Sequence, residues 1–172
     1  SPQLHNHWIG VSNIKAIYEK KRITSDQIKD IILQIKDGKI NGLNVTVPFK
    51  QEVISYIDQL SEEANKTQSV NTILYEDDKI IGHNTDIEGF EYSLKFNKIN
   101  LKNKNIFIIG AGGVVPSIIY ALNKMQVSNI TICNRTKKKA ENLKKIFEKL
   151  KVLNWGEIPE FDMIINATSI GL

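Results

Sequence analysis

Residues 105–113, NIFIIGAGG, form a continuous apolar run that ends in glycines. A helical pattern follows at 117–126, a second apolar run at 129–135, a further helical pattern at 137–150 and a third apolar run at 161–169. Strands that alternate with helices predict βαβ units around a parallel sheet. The runs are continuous rather than alternating, which is the pattern expected where helices cover both faces of the sheet.

The first half of the chain predicts a more mixed arrangement. We expect, in chain order, a strand at 16–21, a helix from Thr24 to about Lys36, a strand at 40–47, a helix at 48–60, a hairpin that turns at EDDK (76–79) and a helix from Asp86 to Phe96. Pro48 suits the first turn of a helix because its missing N–H would be unbonded there. Residues 97–105 are the expected boundary between two domains, 1–98 and 99–172.

Charge and cysteine content narrow the class of protein. The chain has 172 residues and a net charge of +4, with 21 lysines and 2 arginines. The lysines are spread along the chain, and their densest run follows the solvent side of an amphipathic pattern, so nucleic-acid binding is not predicted. The chain has no run of eighteen apolar residues, so a membrane span is not predicted. The single cysteine, Cys133, has no internal disulfide partner, which favours a reduced, cytoplasmic location.

The glycines of the first apolar run predict a dinucleotide site. Gly110, Gly112 and Gly113 lie where a buried strand turns into a helix, so backbone N–H groups and the helix N-terminus can approach a pyrophosphate. The third glycine of the strict G-x-G-x-x-G pattern would fall at Val115. A tight structural turn is the alternative interpretation of this loop.

The end of the second strand indicates which dinucleotide is bound. An NAD enzyme would carry Asp or Glu there for the ribose hydroxyls, whereas this chain has NRTKKK at 134–139. The guanidinium of Arg135, with Thr136 and Lys139 beside it, suits a 2′-phosphate. The pattern therefore favours NADP over NAD.

The segment NGLNVTVPFK, residues 41–50, predicts a polar face at the end of a strand. Side chains two apart on a strand share a face, so Asn44 and Thr46 would point one way while Val45 and Val47 face the core. Lys50 would then lie in the first turn of the next helix. A solvated surface lysine is the alternative to a functional one.

Several motifs together resemble those of the shikimate dehydrogenases. They are SPQLHN (1–6), GLNVTVPFK (42–50), SVNT (69–72), GHNTDIEGF (82–90), GAGG (110–113), NRT (134–136) and INATSIGL (165–172). The resemblance spans essentially the whole chain. It implies an α/β fold with a mixed-sheet substrate domain followed by a partial Rossmann NADP-binding domain. It also implies reduction of 3-dehydroshikimate to shikimate by NADPH, a step towards chorismate and the aromatic amino acids.

The resemblance also implies roles for individual residues. Lys50 matches the family's catalytic lysine and Asp86 the aspartate paired with it. The implied substrate-binding positions are Ser1, Asn44, Thr46 and Asn71, together with Lys50 and Asp86. The implied cofactor-binding positions are Gly110, Ala111, Gly112, Gly113, Asn134, Arg135, Thr136, Lys139, Thr168 and Ser169. TQSVNT replaces the commoner GAVNT of the family, and GAGGVV has branched residues where small ones are usual.

Two alternative functions remain at this point. One is a family paralogue that accepts quinate or uses NAD, and the other is a non-catalytic NADP-sensing module. The presence of both Lys50 and Asp86 argues against the sensor, which needs no proton-transfer pair. The three histidines do not have the spacing of metal ligands, so no metal site is predicted. The sequence is compatible with both a monomer and a homodimer.

The family pattern also leads us to expect a longer protein. In the family a strand and a substrate-binding serine precede SPQLHN, and further strands follow INATSIGL. We therefore expect these residues, expressed alone, to expose an unfinished sheet edge, to aggregate and to turn over little substrate.

Overall fold

The computed structural model describes residues 2–170. Its helices are α1 (Pro2–Val11), α2 (Ile28–Lys36), α3 (Glu62–Thr67), α4 (Asp86–Phe96), α5 (Val115–Lys124) and α6 (Lys137–Lys144). Its strands are β1 (Gly42–Asn44), β2 (Gln59–Leu60), β3 (Thr72–Glu76), β4 (Lys79–His83), β5 (Asn105–Ile109), β6 (Asn129–Cys133), β7 (Lys151–Leu153) and β8 (Met163–Asn166). The strands form two four-stranded sheets, and the predicted α/β class is confirmed. None of the described helices is long and apolar enough to cross a membrane.

The first sheet is mixed, as the sequence predicts. Its strand order is β1-β3-β4-β2, with antiparallel β1/β3 and β3/β4 pairs and a parallel β2/β4 pair. The β3–β4 hairpin turns at Asp77 and Asp78, whose φ values of 49° and 60° suit a tight two-residue turn. Helix α2 packs against this sheet through one apolar face, made by Ile28, Ile31, Ile32 and Ile35.

The second sheet is fully parallel, with the order β7-β6-β5-β8. Helices α5 and α6 pack on the face that carries Ile106 and Ile108. On the opposite face Phe107 meets Phe161, with ring centroids 5.8 Å apart, and Ile164 is 47% exposed. The sequence predicts helices on both faces of this sheet. Within residues 2–170 the second face is instead contacted by the segment that joins β7 to β8, through Phe161.

The strand predicted at 16–21 is wrong, because residues 14–24 are not a strand. The backbone N–H of Tyr18 donates to Asn6 Oδ1 at 2.8 Å, and the Tyr18 carbonyl accepts from Asn6 Nδ2 at 2.9 Å. The side-chain amide of Asn6 therefore bonds the backbone groups that a neighbouring strand would otherwise bond.

The helix predicted at 48–60 is also wrong. The Val47–Pro48 peptide is cis, residues 47–51 form turns, and a short 3₁₀ helix (Glu52–Tyr56) leads into β2. Asp58 pairs with β4 instead of continuing a helix, since its N–H donates to the Ile80 carbonyl and its carboxylate accepts the Ile80 N–H. Lys50 accordingly lies in a turn and not in the first turn of an α-helix.

Several other element bounds differ from the prediction. Helix α1 was not predicted. None of its residues is buried, so its sequence lacks the apolar face by which an amphipathic helix is recognised. Strand β1 is shorter than the predicted 40–47, although the Val45 N–H still bonds the Asn71 carbonyl at 2.8 Å. Helix α6 stops at Lys144 rather than at 150. Helix α4 has the predicted bounds.

Candidate functional site

A partly buried ion pair lies at the edge of the first sheet. Lys50 is 9% exposed, and its Nζ lies 2.5 Å from Asp86 Oδ2. Lys50 comes from the turn after β1, whereas Asp86 is the first residue of α4. The Lys50 carbonyl accepts the Val70 N–H at 2.8 Å, which fixes the turn against the segment before β3. The fold thus brings together two residues that the sequence analysis paired by resemblance alone.

Asn71 orients the carboxylate of this pair. Its Nδ2 donates to Asp86 Oδ1 at 2.8 Å and to Thr85 Oγ1 at 3.0 Å. Its Oδ1 accepts the Thr85 N–H at 3.0 Å. With one carboxylate oxygen on the ammonium and the other on an amide, Asp86 has a defined orientation.

Asn44 extends the polar face along β1. Its Nδ2 donates to Thr72 Oγ1 at 3.2 Å, and its Oδ1 accepts from the Tyr18 hydroxyl at 3.0 Å. Thr46 follows two residues later and is exposed. Tyr18 was missed by the sequence analysis, because nothing local in the chain connects it to Asn44.

The two valines of this segment do not share one face. Val45 packs against the core of the first sheet, as predicted. Val47 is 66% exposed, so the prediction that it faces the core is wrong. A Cβ built on Gly113 would lie 3.8 Å from Val47 Cγ2 and 3.9 Å from Lys50 Cδ. The glycine loop and the ion pair are therefore neighbours.

The glycine loop connects β5 to α5 and passes close to the end of β8. Gly110 has φ +111°, and a Cβ there would lie 2.7 Å from the Ala167 carbonyl oxygen. Only glycine satisfies both constraints. Thr168 and Ser169 lie in the turn after β8, where Thr168 N–H and Oγ1 both bond Asn166 Oδ1.

The end of β6 is tied to the glycine loop by Asn134. Its Oδ1 accepts the Ala111 N–H at 3.2 Å, and its Nδ2 donates to the Thr136 carbonyl at 2.8 Å. Arg135, Thr136 and Lys139 are all exposed at the start of α6. The arrangement leaves two cationic side chains and a helix N-terminus free to meet an anionic group next to the glycine loop.

The residues present fit a dinucleotide. A Cβ on Gly112 or Gly113 would meet no atom closer than 3.8 Å, so the loop backbone is open to a close approach by a ligand, and the loop ends at the N-terminus of α5. Ser1 lies outside the described residues. Among residues 2–170, no group of three or more His, Cys, Asp or Glu side chains could hold a metal ion.

Cys133 is a structural residue beside this site. It is 3% exposed at the end of β6, and burial raises the pKa of its thiol. A thiol in this setting stays protonated and unreactive.

A parallel sheet with a glycine loop at its strand ends, next to a partly buried lysine–aspartate pair, is typical of a dinucleotide-dependent oxidoreductase. The chain matches the family model described as "Shikimate dehydrogenase substrate binding domain" over residues 1–73, and that described as "Shikimate / quinate 5-dehydrogenase" over 93–171. It belongs to the shikimate dehydrogenase family.

Individual relatives agree with the family models. The shikimate dehydrogenase (NADP(+)) of Pelagibacter ubique is 56% identical over 172 residues, which are 100% of this chain and 65% of the relative. That of Clostridium botulinum is 37% identical, with 99% of this chain and 67% of the relative covered. A shikimate dehydrogenase solved in complex with NADP+ superimposes with a TM-score of 0.91 at 36% identity, covering 99% of this chain and 62% of the other. The chain thus spans somewhat under two thirds of the Pelagibacter relative.

Proposed function

We propose that this protein is an NADP-dependent shikimate dehydrogenase, which reduces 3-dehydroshikimate to shikimate on the route to chorismate and the aromatic amino acids. The observation that carries the proposal is the proximity of Gly113 to Lys50. A Cβ on Gly113 would lie 3.9 Å from Lys50 Cδ, while Lys50 Nζ lies 2.5 Å from Asp86. The loop that would hold the cofactor and the group that would donate the proton are thus adjacent.

Bound NADPH would supply the hydride that reduces the ketone. The Lys50 ammonium donates a proton to the ketone oxygen as that oxygen gains negative charge. The Asp86 carboxylate holds the ammonium in place and partly neutralises its positive charge, while Asn71 fixes the carboxylate. In the direction of shikimate oxidation the same lysine accepts the hydroxyl proton.

The polar face of β1 suits a polyhydroxy acid. We assign Asn44, Thr46 and Asn71, with Ser1 and the ion pair, to the hydroxyls and carboxylate of the substrate. Asn44 and Asn71 already have hydrogen bonds to Tyr18 and to Asp86, which would orient their remaining hydrogen-bonding groups. Because these side chains are already oriented before the substrate binds, less conformational entropy is lost on binding.

The cofactor would lie along the carboxyl ends of the second sheet. Gly110, Ala111, Gly112 and Gly113 would hold the pyrophosphate at the N-terminus of α5, and Asn134 would brace that loop. Arg135, Thr136 and Lys139 would bind the 2′-phosphate. Thr168 and Ser169 would lie near the nicotinamide. We divide the chain into a substrate domain at 1–98 and a cofactor domain at 99–172.

We also place the enzyme in the cytoplasm as a monomer or homodimer, with a small molecule rather than a nucleic acid or a membrane as its partner. The unpaired, buried Cys133 supports a reducing compartment. The alternative of a quinate-accepting paralogue is favoured by one observation, since the family model for the second half names both shikimate and quinate.

One assay separates these functions. The protein, expressed as its gene encodes it, is given NADP+ or NAD+ with shikimate or with quinate, and reduced cofactor is followed at 340 nm. We expect turnover with shikimate and NADP+, and a much smaller kcat/KM with quinate and with NAD+. Equal kcat/KM values for the two acids would favour the quinate-accepting paralogue. Tight NADP+ binding without turnover of either acid would favour the sensing module.

A further inference from the structure

A buried cluster of polar side chains joins the first sheet to the glycine loop and to helix α5. Asn84 is 5% exposed, and its Nδ2 donates to Ser117 Oγ at 2.8 Å and to the Ser69 carbonyl at 2.9 Å. Its Oδ1 accepts the backbone N–H of Asp86 at 3.1 Å. We call Asn84, Ser69 and Ser117 the Asn84 cluster. It connects the end of β4 and the segment before β3 to the first turn of α5.

A second contact of the cluster reaches the glycine loop itself. The Ser69 hydroxyl donates to the Gly113 carbonyl at 3.3 Å, and both serines are fully buried. Buried polar groups that all have partners hold one orientation, because any other arrangement leaves a donor or an acceptor unpaired away from water. The cluster therefore constrains where the glycine loop lies relative to the first sheet.

The cluster is also adjacent in the chain to the proposed proton-transfer residues. Asn84 lies two residues before Asp86 and accepts its N–H, so it fixes the first turn of α4. Ser69 lies two residues before Asn71, whose amide orients the Asp86 carboxylate. The Asn84 side chain thus bonds both the backbone of Asp86 and the first turn of α5.

We propose that Asn84 is a positioning residue, which acts through Ser69 and Ser117 to hold the glycine loop in register with the Lys50–Asp86 pair. The inference rests on the proposed function. Reduction of a ketone needs a hydride donor and a proton donor at the same carbonyl, and small errors in their separation slow such reactions strongly. The Asn84 cluster would set that separation, and no part of it needs to contact the substrate.

The test uses Ser117→Ala and Ser69→Ala in the protein as its gene encodes it, because each removes one hydroxyl without enlarging the side chain. The matched control is Ser128→Ala, which changes an exposed serine of the same half of the chain. Three quantities are measured: kcat and KM for shikimate, the primary deuterium isotope effect on kcat with shikimate deuterated at the reacting carbon, and amide hydrogen exchange of the ligand-free protein.

We expect kcat to fall about 3- to 10-fold in each cluster variant, as the loss of one buried hydrogen bond suggests. KM for shikimate should change less than about twofold, since the substrate contacts stay in place. The isotope effect should rise, because hydride transfer becomes the slower step. A variant that is merely less folded would lower kcat in proportion to the folded fraction and leave the isotope effect unchanged.

The outcomes separate this inference from the proposed function. Isotope effects equal to those of wild type and Ser128→Ala, with or without a lower melting temperature, would overturn the positioning role. Should wild type not turn over shikimate, the proposed function fails, and amide exchange decides the inference. Faster exchange at both 84–90 and 110–118 in Ser117→Ala would then support the cluster as the link between the two segments, whereas unchanged exchange at either segment would overturn it.

Discussion

Removal of the Lys50 ammonium is the most direct perturbation of the proposed chemistry. The side chain is 11% exposed, and its Nζ lies 2.5 Å from an Asp86 oxygen, so the ammonium is held in one position as a proton donor. General acid catalysis by a positioned group contributes about 10²- to 10⁴-fold. We therefore expect Lys50→Ala to lower kcat by about that factor, which corresponds to about 2.7–5.4 kcal/mol of transition-state stabilisation.

The same substitution should affect stability less than it affects catalysis. Asp86 keeps the Asn71 amide on its second oxygen, and its side chain is 24% exposed, so the carboxylate is not left wholly without a partner. Breaking a fully buried pair costs about 3–5 kcal/mol, and we expect about 1–3 kcal/mol here. Thermal unfolding followed by circular dichroism gives the temperature at which wild type and variant are both folded, and kinetics are compared there.

The kinetic assay follows NADPH formation from shikimate at saturating NADP+. We expect the change in kcat to exceed the change in KM for shikimate by at least about tenfold, because the proton is transferred only in the transition state. Lys66→Ala is the matched control, since it removes a lysine from an exposed ion pair with Glu62 on α3. A folded Lys50→Ala enzyme with kcat within about threefold of wild type would refute the reasoning.

Three further substitutions test other parts of the structure. Arg135→Asp should remove the preference for NADP+ over NAD+ in kcat/KM, because a carboxylate repels the 2′-phosphate, and a wild-type protein that binds both cofactors equally would contradict this. Gly110→Ala should unfold at a clearly lower temperature and lose NADP+ binding in calorimetry, since its Cβ would lie 2.7 Å from the Ala167 carbonyl oxygen at φ +111°; a variant with normal stability would contradict that geometry. The backbone N–H of Asn105 and the Lys104 ammonium hold the pKa of Asp162 below its usual range. The resulting stabilisation is present above the unfolded value of about 4 and is lost as the pH falls through the lower folded value, so Asp162→Asn should flatten the acid side of a plot of melting temperature against pH.

Features that depend on neighbouring residues in the chain could be predicted from the sequence. The alternation of apolar runs and helical patterns after residue 105 predicts the parallel sheet, because periodicity reports which faces of each element are buried. The hairpin at EDDK and helix α4 could also be predicted, because both are visible in short stretches of the sequence. The glycine loop at the end of β5 could also be located, since its composition and its place between strand and helix are both visible.

Features that depend on distant residues were decided by the tertiary structure. Local preference favoured a helix after Pro48. The end of that segment instead joins the first sheet, because Asp58 pairs with Ile80 of β4. The Asn6 amide likewise bonds the backbone of Tyr18 in place of a strand. Such contacts gain their free energy from burial and from satisfying polar groups across the fold, which no local pattern records.

The candidate site divides along the same line. Its residue types were recognisable as motifs, so Lys50, Asp86 and the glycine loop could be listed from the sequence, with their pairing implied only by resemblance. Their proximity, and the Asn84 cluster that connects them, required the fold, because Asn84 and Ser117 are 33 residues apart in the chain. Chemistry was encoded by residue identity, whereas the distances that let it operate came from the packing of α5 against α3 and α4 of the first half.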